Sequence, residues 1–179
     1  MSRNRIYYQN AVYHVFVRGN NRGMILKHKS DKMDMLVSIK KFQERRGFKM
    51  YGFVLMDNHA HFVIEVNHTH SISKIMQSIL LSYSTKYRRK YEYVGHVWQG
   101  RFQSKPVTDE RYMFECLNYL HSNPVKAGIV SVQCDYPYSS ARFYEGLTSK
   151  GVYEYIDLSR YGDTSVVTPN VSKGCLETF

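Results

Sequence analysis

The stretch MDNHAHFVIEV, residues 56–66, predicts the fold through its alternation of residue types. Side chains of a β-strand point to opposite faces in turn. One face of this strand is wholly apolar and is formed by Ala60, Phe62, Ile64 and Val66. The other face is formed by His59, His61, Val63 and Glu65. We therefore expect the apolar face to lie on helices and both histidines to point to the opposite side of the sheet.

The segments on either side of this strand complete an α+β pattern. Residues 11–19, 48–56 and 101–107 are rich in β-formers, and the tight Asp-Asn connection joins the second strand to 59–66. Helices are predicted at 30–47, capped by Ser30 or Asp31 and ended by Gly47, and at 71–91. A further helix is expected from Thr108 to about residue 122, because the residue before Pro124 is disfavoured in helical geometry.

The order strand, helix, strand, strand, helix, strand is typical of a ferredoxin-like antiparallel sheet with two helices on one face. The third helix is an addition at the C-terminal side. We predict one domain over residues 1–144. Residues 145–179 read as an irregular C-terminal extension, either part of the same domain or a surface tail.

Composition favours a polyanionic partner. The 179 residues carry a formal net charge of +10, and residues 135–179 are net acidic, so the excess lies in residues 1–134. No stretch approaches the length of a spanning helix, and the basic N-terminus lacks the apolar core of a signal peptide. Three scattered cysteines argue against a disulfide scaffold. We expect a cytoplasmic, nucleoid-associated protein with no membrane contact.

Two imidazoles at positions i and i+2 of a strand can converge on one divalent cation. The alternative is that His59 and His61 lie on an exposed strand and bond water or neighbours. The sequence contains no HExxH motif, and Val63 occupies the next alternate position, so an HxHxH triad is absent too. A metal site would need a third ligand from elsewhere.

Tyr119 and Asn123 are four residues apart on the predicted third helix, and residues at that spacing share a face. If this helix lies near the open face of the sheet, Asn123 could supply an oxygen ligand and Tyr119 a hydroxyl beside the cation. A cation that polarises a phosphate oxygen would suit attack by a tyrosine on a phosphodiester. The spacing alone does not distinguish Tyr119 from the other 15 tyrosines, most of which must pack or stack.

Five motifs, in the order HVFVRGNNRGMI, MDNHAHFVIEV, GHVWQGRFQSKPV, YLHSNPVKAGIV and YPYSSARFY, resemble the marks of the single-tyrosine HUH transposases. The resemblance is greatest to the REP-associated tyrosine transposases and covers roughly residues 11–144. It implies an enzyme that cleaves and rejoins single-stranded DNA through a 5′-phosphotyrosine. It also implies that Tyr119 is the nucleophile and that His59, His61 and Asn123 bind Mg²⁺ or Mn²⁺. Asparagine as the third metal ligand resembles the pattern of the REP-associated branch, whereas the insertion-sequence branch generally has glutamine at that position.

The expected partner is single-stranded or hairpin DNA, and relatives leave both a monomer and a homodimer open. Candidate DNA-binding residues are the basic, amide and aromatic residues Arg18, Asn20, Asn21, Arg22, Arg88, Arg89, Lys90, Trp98 and Arg101. Two of these groups have another explanation in the fold. Arg88, Arg89 and Lys90 end the second helix, where cations complement the helix dipole. Trp98 can stack on a base, but a single tryptophan is often a core residue.

Two other functions remain compatible with the residues themselves. A non-catalytic RNA- or DNA-binding module would use the same element order with stacking aromatics on the sheet, and would have no use for the histidines. A metal-dependent hydrolase of small phosphoesters would turn over a nucleotide without a tyrosine adduct.

Overall fold

The computed structural model describes residues 8, 10–147 and 152–159. Its centre is one antiparallel sheet of four strands, β1 (Val12–Arg18), β2 (Lys49–Leu55), β3 (His59–Glu65) and β4 (Gln103–Val107), in the order β2-β3-β1-β4. Three main helices accompany it, α1 (Lys29–Arg46), α2 (Ile72–Tyr91) and α3 (Glu110–Lys126). The predicted α+β class and ferredoxin-like sheet are confirmed.

Helices α1 and α2 cover the apolar face of β3. Ala60, Phe62 and Ile64 are at most 1% exposed and belong to one cluster with the buried stripes of both helices. Burial of each such side chain stabilises the fold by about 1.5–3 kcal/mol. The alternation in residues 59–66 therefore predicted the correct face.

The predicted cap of α1, Ser30 or Asp31, was two or three residues late. The N-cap is His28, and Asp31 lies at the third helical position, where its carboxylate accepts the backbone N–H of His28 at 3.1 Å. An acid at this position satisfies one of the N–H groups that the first turn leaves free. Gly47 ends the helix in the left-handed conformation, as predicted.

Helix α3 packs on the opposite face of the sheet, beside the histidines. Its stripe of Met113, Leu117 and Leu120 is buried with Val54 and Val63 of the sheet in a second apolar cluster. The helix comes so close to β2 that a Cβ added to Gly52 would lie 2.6 Å from Leu117 Cδ2. Glycine at position 52 is therefore a condition for this packing.

Two predictions for α3 were wrong. Asp109, not Thr108, caps it by accepting the Tyr112 N–H at 2.8 Å. The helix also continues through Pro124 to Lys126. Proline has no N–H for the carbonyl of Leu120, and the Asn123 side-chain amide donates to that carbonyl at 3.3 Å instead.

The chain after α3 covers the outer edge of β2. A short helix α4 (Ala141–Tyr144) follows a 3-10 turn, and the backbone N–H of Ser140 donates to Phe53 O at 2.9 Å. Farther along, within the segment predicted as an irregular extension, residues 152–159 include a 3-10 turn (Val152–Tyr155), and Ser159 N donates to Met50 O at 2.9 Å. An edge strand covered in this way cannot pair with another chain.

No helix in the described part of the chain combines the length and the apolar character needed to cross a bilayer.

Candidate active site

The fold brings together four residues from two segments that are far apart in the sequence. His59 and His61 lie at the start of β3 on the α3 side of the sheet, with Arg18 and Phe16 directly opposite on β1. The side chain of Asn123 on α3 lies beside His59 and favours the protonated form of that imidazole. The ring of Tyr119, one helical turn before Asn123, meets the His61 ring edge-on at a centroid distance of 5.4 Å.

Tyr119 is 46% exposed, whereas tyrosines such as Tyr13 and Tyr83 are buried in the core. Its phenol lines a cleft of about 760 Å³ between β1, β4 and α3. The ammonium of Lys126, on the same helix, lies 5.2 Å from the centroid of the Tyr119 ring. The phenol is thus accessible to a ligand and adjacent to both a cation and an imidazole.

Hydrogen bonds fix the orientation of the Asn123 amide. Its Nδ2 donates to the carbonyls of Tyr119 at 2.7 Å and Leu120 at 3.3 Å. Its Oδ1 is therefore the atom that faces His59. Because Pro124 leaves the Leu120 carbonyl without its helical partner, the proline and the asparagine amide act as a unit.

The Nδ1 atom of His59 lies 2.6 Å from Oδ1 of Asn58. An amide oxygen only accepts, so the proton of a neutral His59 is on Nδ1. Nε2 of His59 is then the nitrogen that keeps its lone pair, and the neighbouring Asn123 offers an acceptor oxygen rather than a donor. A nitrogen lone pair and an amide oxygen on neighbouring side chains can share a cation, so these residues fit a metal ion.

Burial keeps both imidazoles neutral. Desolvation, helped by the nearby His14, His59 and Arg18, lowers the pKa of His61 to about 3. Desolvation also lowers the pKa of His59, against an opposing effect of the neighbouring Asn123 side chain. Neutral imidazole is the form that binds a metal.

Within the described ranges, no three His, Cys, Asp or Glu side chains are grouped so that they could hold a metal ion. A cation at His59 and His61 would therefore need a ligand of another type, and the amide oxygen of Asn123, beside His59, is a candidate.

Most of the predicted DNA-binding residues lie at one end of the sheet. Arg18 lines the cleft, and Asn20–Arg22 form a 3-10 turn directly after β1. This turn is joined to the segment before β4 by the bond from Asn20 N to Val97 O at 2.9 Å. Arg101 is exposed in that segment, and Arg88 and Arg89 are exposed at the end of α2.

Two of the predicted DNA-binding residues have structural partners. The indole N–H of Trp98 donates to Leu80 O at 3.2 Å, and its ring lies 5.4 Å from that of Tyr83, so the half-buried ring packs on the core. The ammonium of Lys90 lies 2.7 Å from the buried carboxylate of Asp31. Packing and charge pairing explain both residues without DNA.

Sequence reasoning missed several residues of the cleft. His14 and Phe16 share the face of Arg18 on β1, and Gln103 and Lys105 stand opposite them on β4. The alternation of β1 could have identified the first two. The β4 residues could not be found in this way, because strand pairing is not readable from a single strand.

This chain resembles known proteins both in sequence and in fold. Residues 7–123, well over half of the chain, match the family described as IS200-like transposases. A protein of Haemophilus influenzae, provisionally named a REP-associated tyrosine transposase, is 44% identical over 55 residues. That alignment covers 31% of this chain and 31% of the relative.

Among solved structures, a REP-associated tyrosine transposase bound to a REP hairpin matches with a TM-score of 0.69 at 18% identity. The match covers 90% of this chain and 95% of the other, and at this identity it shows a shared fold. A provisionally identified transposase from Deinococcus radiodurans has a TM-score of 0.47 over 68% of this chain. The extent of the family match leads to one conclusion: this chain belongs to the IS200-like transposase family.

Proposed function

We propose that the protein cleaves and rejoins single-stranded DNA next to a hairpin, with Tyr119 as nucleophile. The observation that carries the proposal is the position of the exposed Tyr119 phenol, against the His61 imidazole and one turn from Asn123, whose side chain lies beside His59. A covalent mechanism needs an accessible hydroxyl beside a group that can grip phosphate, and this cleft supplies both.

His59, His61 and Asn123 are the proposed ligands of Mg²⁺ or Mn²⁺. Two neutral nitrogens and one amide oxygen leave coordination positions for water and for a phosphate oxygen. When bound, such an ion stabilises the negative charge that develops on the phosphate. Arg18, which lines the cleft, is the proposed residue that holds the phosphate in place. The His61 ring contacts the Tyr119 ring and orients the phenol.

The proposed reaction conserves the energy of the phosphodiester. The Tyr119 oxygen forms a bond to phosphorus, the bond from phosphorus to the 3′ oxygen breaks, the phenol loses its proton and the leaving oxygen gains one. The products are a 5′-phosphotyrosine and a free 3′-OH. Attack by another 3′-OH reverses these bond changes and rejoins the strand, so no nucleotide triphosphate is required.

The basic end of the sheet is the proposed binding surface for the hairpin. Arg18 lines the cleft with the histidines, Arg101 lines a neighbouring pocket with Arg18, and the turn Asn20–Arg22 follows β1. Arg88 and Arg89 extend the positive surface along α2. The fold neighbour of known structure is described as bound to a REP hairpin, and we propose the same class of ligand for this chain. Action on chromosomal repeats would place the protein at the nucleoid in the cytoplasm.

One residue favours the alternative of a binding module without catalysis. Phe16 is a half-buried aromatic on the central strand β1, on the face where such modules stack bases. Its ring already contacts the His61 ring at 4.8 Å, and the Arg18 guanidinium lies 5.0 Å from its centroid. The same contacts would allow Phe16 to support the side chains of the proposed metal site from below, so Phe16 is compatible with both functions.

The deciding experiment incubates the protein with hairpin oligonucleotides and Mn²⁺ and then maps any DNA–peptide adduct by mass. The adduct should lie on Tyr119 and disappear in Tyr119→Phe, while hairpin binding persists. Tyr112→Phe is the matched control, because Tyr112 lines the same cleft and should be dispensable. An adduct that persists in Tyr119→Phe would refute the assignment, and the absence of any adduct in the wild type would favour the binding module.

A further inference from the structure

His14 is a third histidine of the cleft that neither the HxH pattern nor the proposed ligand set uses. It lies on β1, paired with Val63 of β3 and Lys105 of β4, two residues along the strand from the position opposite His61. Its Nε2 atom is 3.1 Å from Nδ1 of His61.

The two imidazole rings meet edge to edge. Their planes differ by 20° and their centroids are 5.2 Å apart, while the two nitrogens are separated by 3.1 Å. In two rings stacked face to face, the centroid distance would be about equal to the distance between the nearest atoms. Here the centroids are farther apart than the two nitrogens, so the rings lie end to end with the nitrogens between their centres. This is the geometry of an in-plane N–H···N hydrogen bond.

This bond determines which nitrogen of His61 can bind a cation. Because Nδ1 faces His14, only Nε2 is left on the side of the cleft. His59 is arranged in the same way, since its Nδ1 faces Asn58 Oδ1 at 2.6 Å. Metal-binding histidines generally donate their second N–H to an acceptor that fixes the tautomer and the ring, and here each of the two has its own acceptor.

His14 also contacts the nucleophile. Its ring centroid lies 6.1 Å from that of Tyr119 at an interplanar angle of 70°, beside the similar contact between Tyr119 and His61. A single side chain therefore touches both a proposed ligand and the proposed nucleophile.

We propose that His14 is a positioning residue of the site: it accepts the Nδ1–H of His61, which directs Nε2 of His61 into the cleft, and it supports the Tyr119 ring. The inference rests on the proposed metal site, but it concerns a hydrogen bond that exists without DNA or catalysis.

The first test reads the tautomer of the metal-free wild-type protein from the ¹⁵N shifts of its histidine rings. His61 should carry its proton on Nδ1, and His14→Ala should convert it to a mixture of tautomers. A His61 ring protonated on Nε2 in the wild type would overturn the proposal. This readout needs no variant that folds poorly and no activity.

The second test measures Mn²⁺ affinity by titration calorimetry in the absence of DNA. His14→Ala should weaken Mn²⁺ binding about 10–100-fold, the usual cost of losing an outer partner of a metal-binding histidine, and His14→Gln, which keeps an acceptor oxygen, should recover part of the affinity. Arg111→Ala, on the exposed side of α3, is the control and should bind like the wild type. Unchanged affinity in His14→Ala would refute a positioning role, and a loss as complete as in His61→Ala without recovery by glutamine would show that His14 is itself a ligand.

The adduct assay separates this inference from the proposed function. If Tyr119 forms the adduct but His14→Ala binds Mn²⁺ normally, only the role of His14 is wrong. If His14→Ala loses Mn²⁺ affinity but no adduct forms, the metal site stands and the nuclease assignment fails.

Discussion

Substitution of Gly52 by alanine should loosen the packing of α3 against the sheet. The new Cβ would lie 2.6 Å from Leu117 Cδ2 and 3.3 Å from Ser140 Oγ. Leu117 is 1% exposed and packs within the second apolar cluster, so a movement of its side chain would displace its neighbours. We expect a shift of α3, which carries Tyr119 and Asn123, away from β2 to relieve the contact.

Two opposing effects set the size of the change in stability. Overpacking a core costs about 1–3 kcal/mol, while alanine in place of glycine restricts the unfolded chain and returns about 0.4–1 kcal/mol. The free energy of unfolding should therefore fall by roughly 1–2 kcal/mol, which for a domain of this size lowers the Tm by about 2–8 °C. Misplacement of reacting groups by about 1 Å can reduce a rate 100-fold, so adduct formation should fall more than stability does.

Thermal unfolding followed by circular dichroism, and adduct yield measured well below the Tm, test these two effects. The double variant Gly52→Ala with Leu117→Ala is the internal control. If the clash with Leu117 is the cause, the second substitution should cost less in the Gly52→Ala background than in the wild type. Strictly additive losses, or a Tm of Gly52→Ala at or above that of the wild type, would refute the reasoning.

Three further predictions concern Lys90, Arg89 and Pro124. Lys90→Ala should reduce the free energy of unfolding by about 1 kcal/mol because it removes the partly exposed partner of the buried Asp31 carboxylate. Arg89→Ala should leave stability unchanged. It should reduce the slope of the logarithm of the hairpin-binding constant against the logarithm of the salt concentration by about 1. The reverse pattern in denaturant and salt titrations would exchange the roles of these two residues. Pro124→Ala should weaken Mn²⁺ binding without lowering the Tm, since the new N–H competes for the Leu120 carbonyl and frees the Asn123 amide to rotate; equal affinities in calorimetry would contradict this account.

The faces of the sheet were predictable because strand alternation is a local property. Residues 59–66 have a single apolar face, and that face meets α1 and α2. The stripe of Met113, Leu117 and Leu120 was equally readable, since helical spacing needs no knowledge of the partner surface. That α3 crosses the histidine side of the sheet was only a conditional expectation, because it depends on the absence of a side chain at Gly52.

The cleft was less predictable because its walls come from paired strands. The line of His14, Phe16 and Arg18 is visible in β1, but their contacts with His61 and Gln103 require the order β3-β1-β4 and its register. Trp98 and Lys90 illustrate the opposite limit. Residue type suggested DNA contact for both. Trp98 instead packs on Tyr83, which lies 15 positions away in the sequence, and Lys90 pairs with Asp31, which lies 59 positions away.

Pro124 shows how a correct local rule can fail for an informative reason. The rule that a helix stops before proline rests on the carbonyl that loses its N–H partner. In α3 this carbonyl belongs to Leu120 and is satisfied by the side chain of Asn123, the residue just before the proline. The same bond turns the amide oxygen of Asn123 toward His59. The defect in the helix and the orientation of the proposed metal ligand are therefore one structural feature, and the sequence Asn-Pro, four residues after Tyr119, places that ligand one turn from the proposed nucleophile.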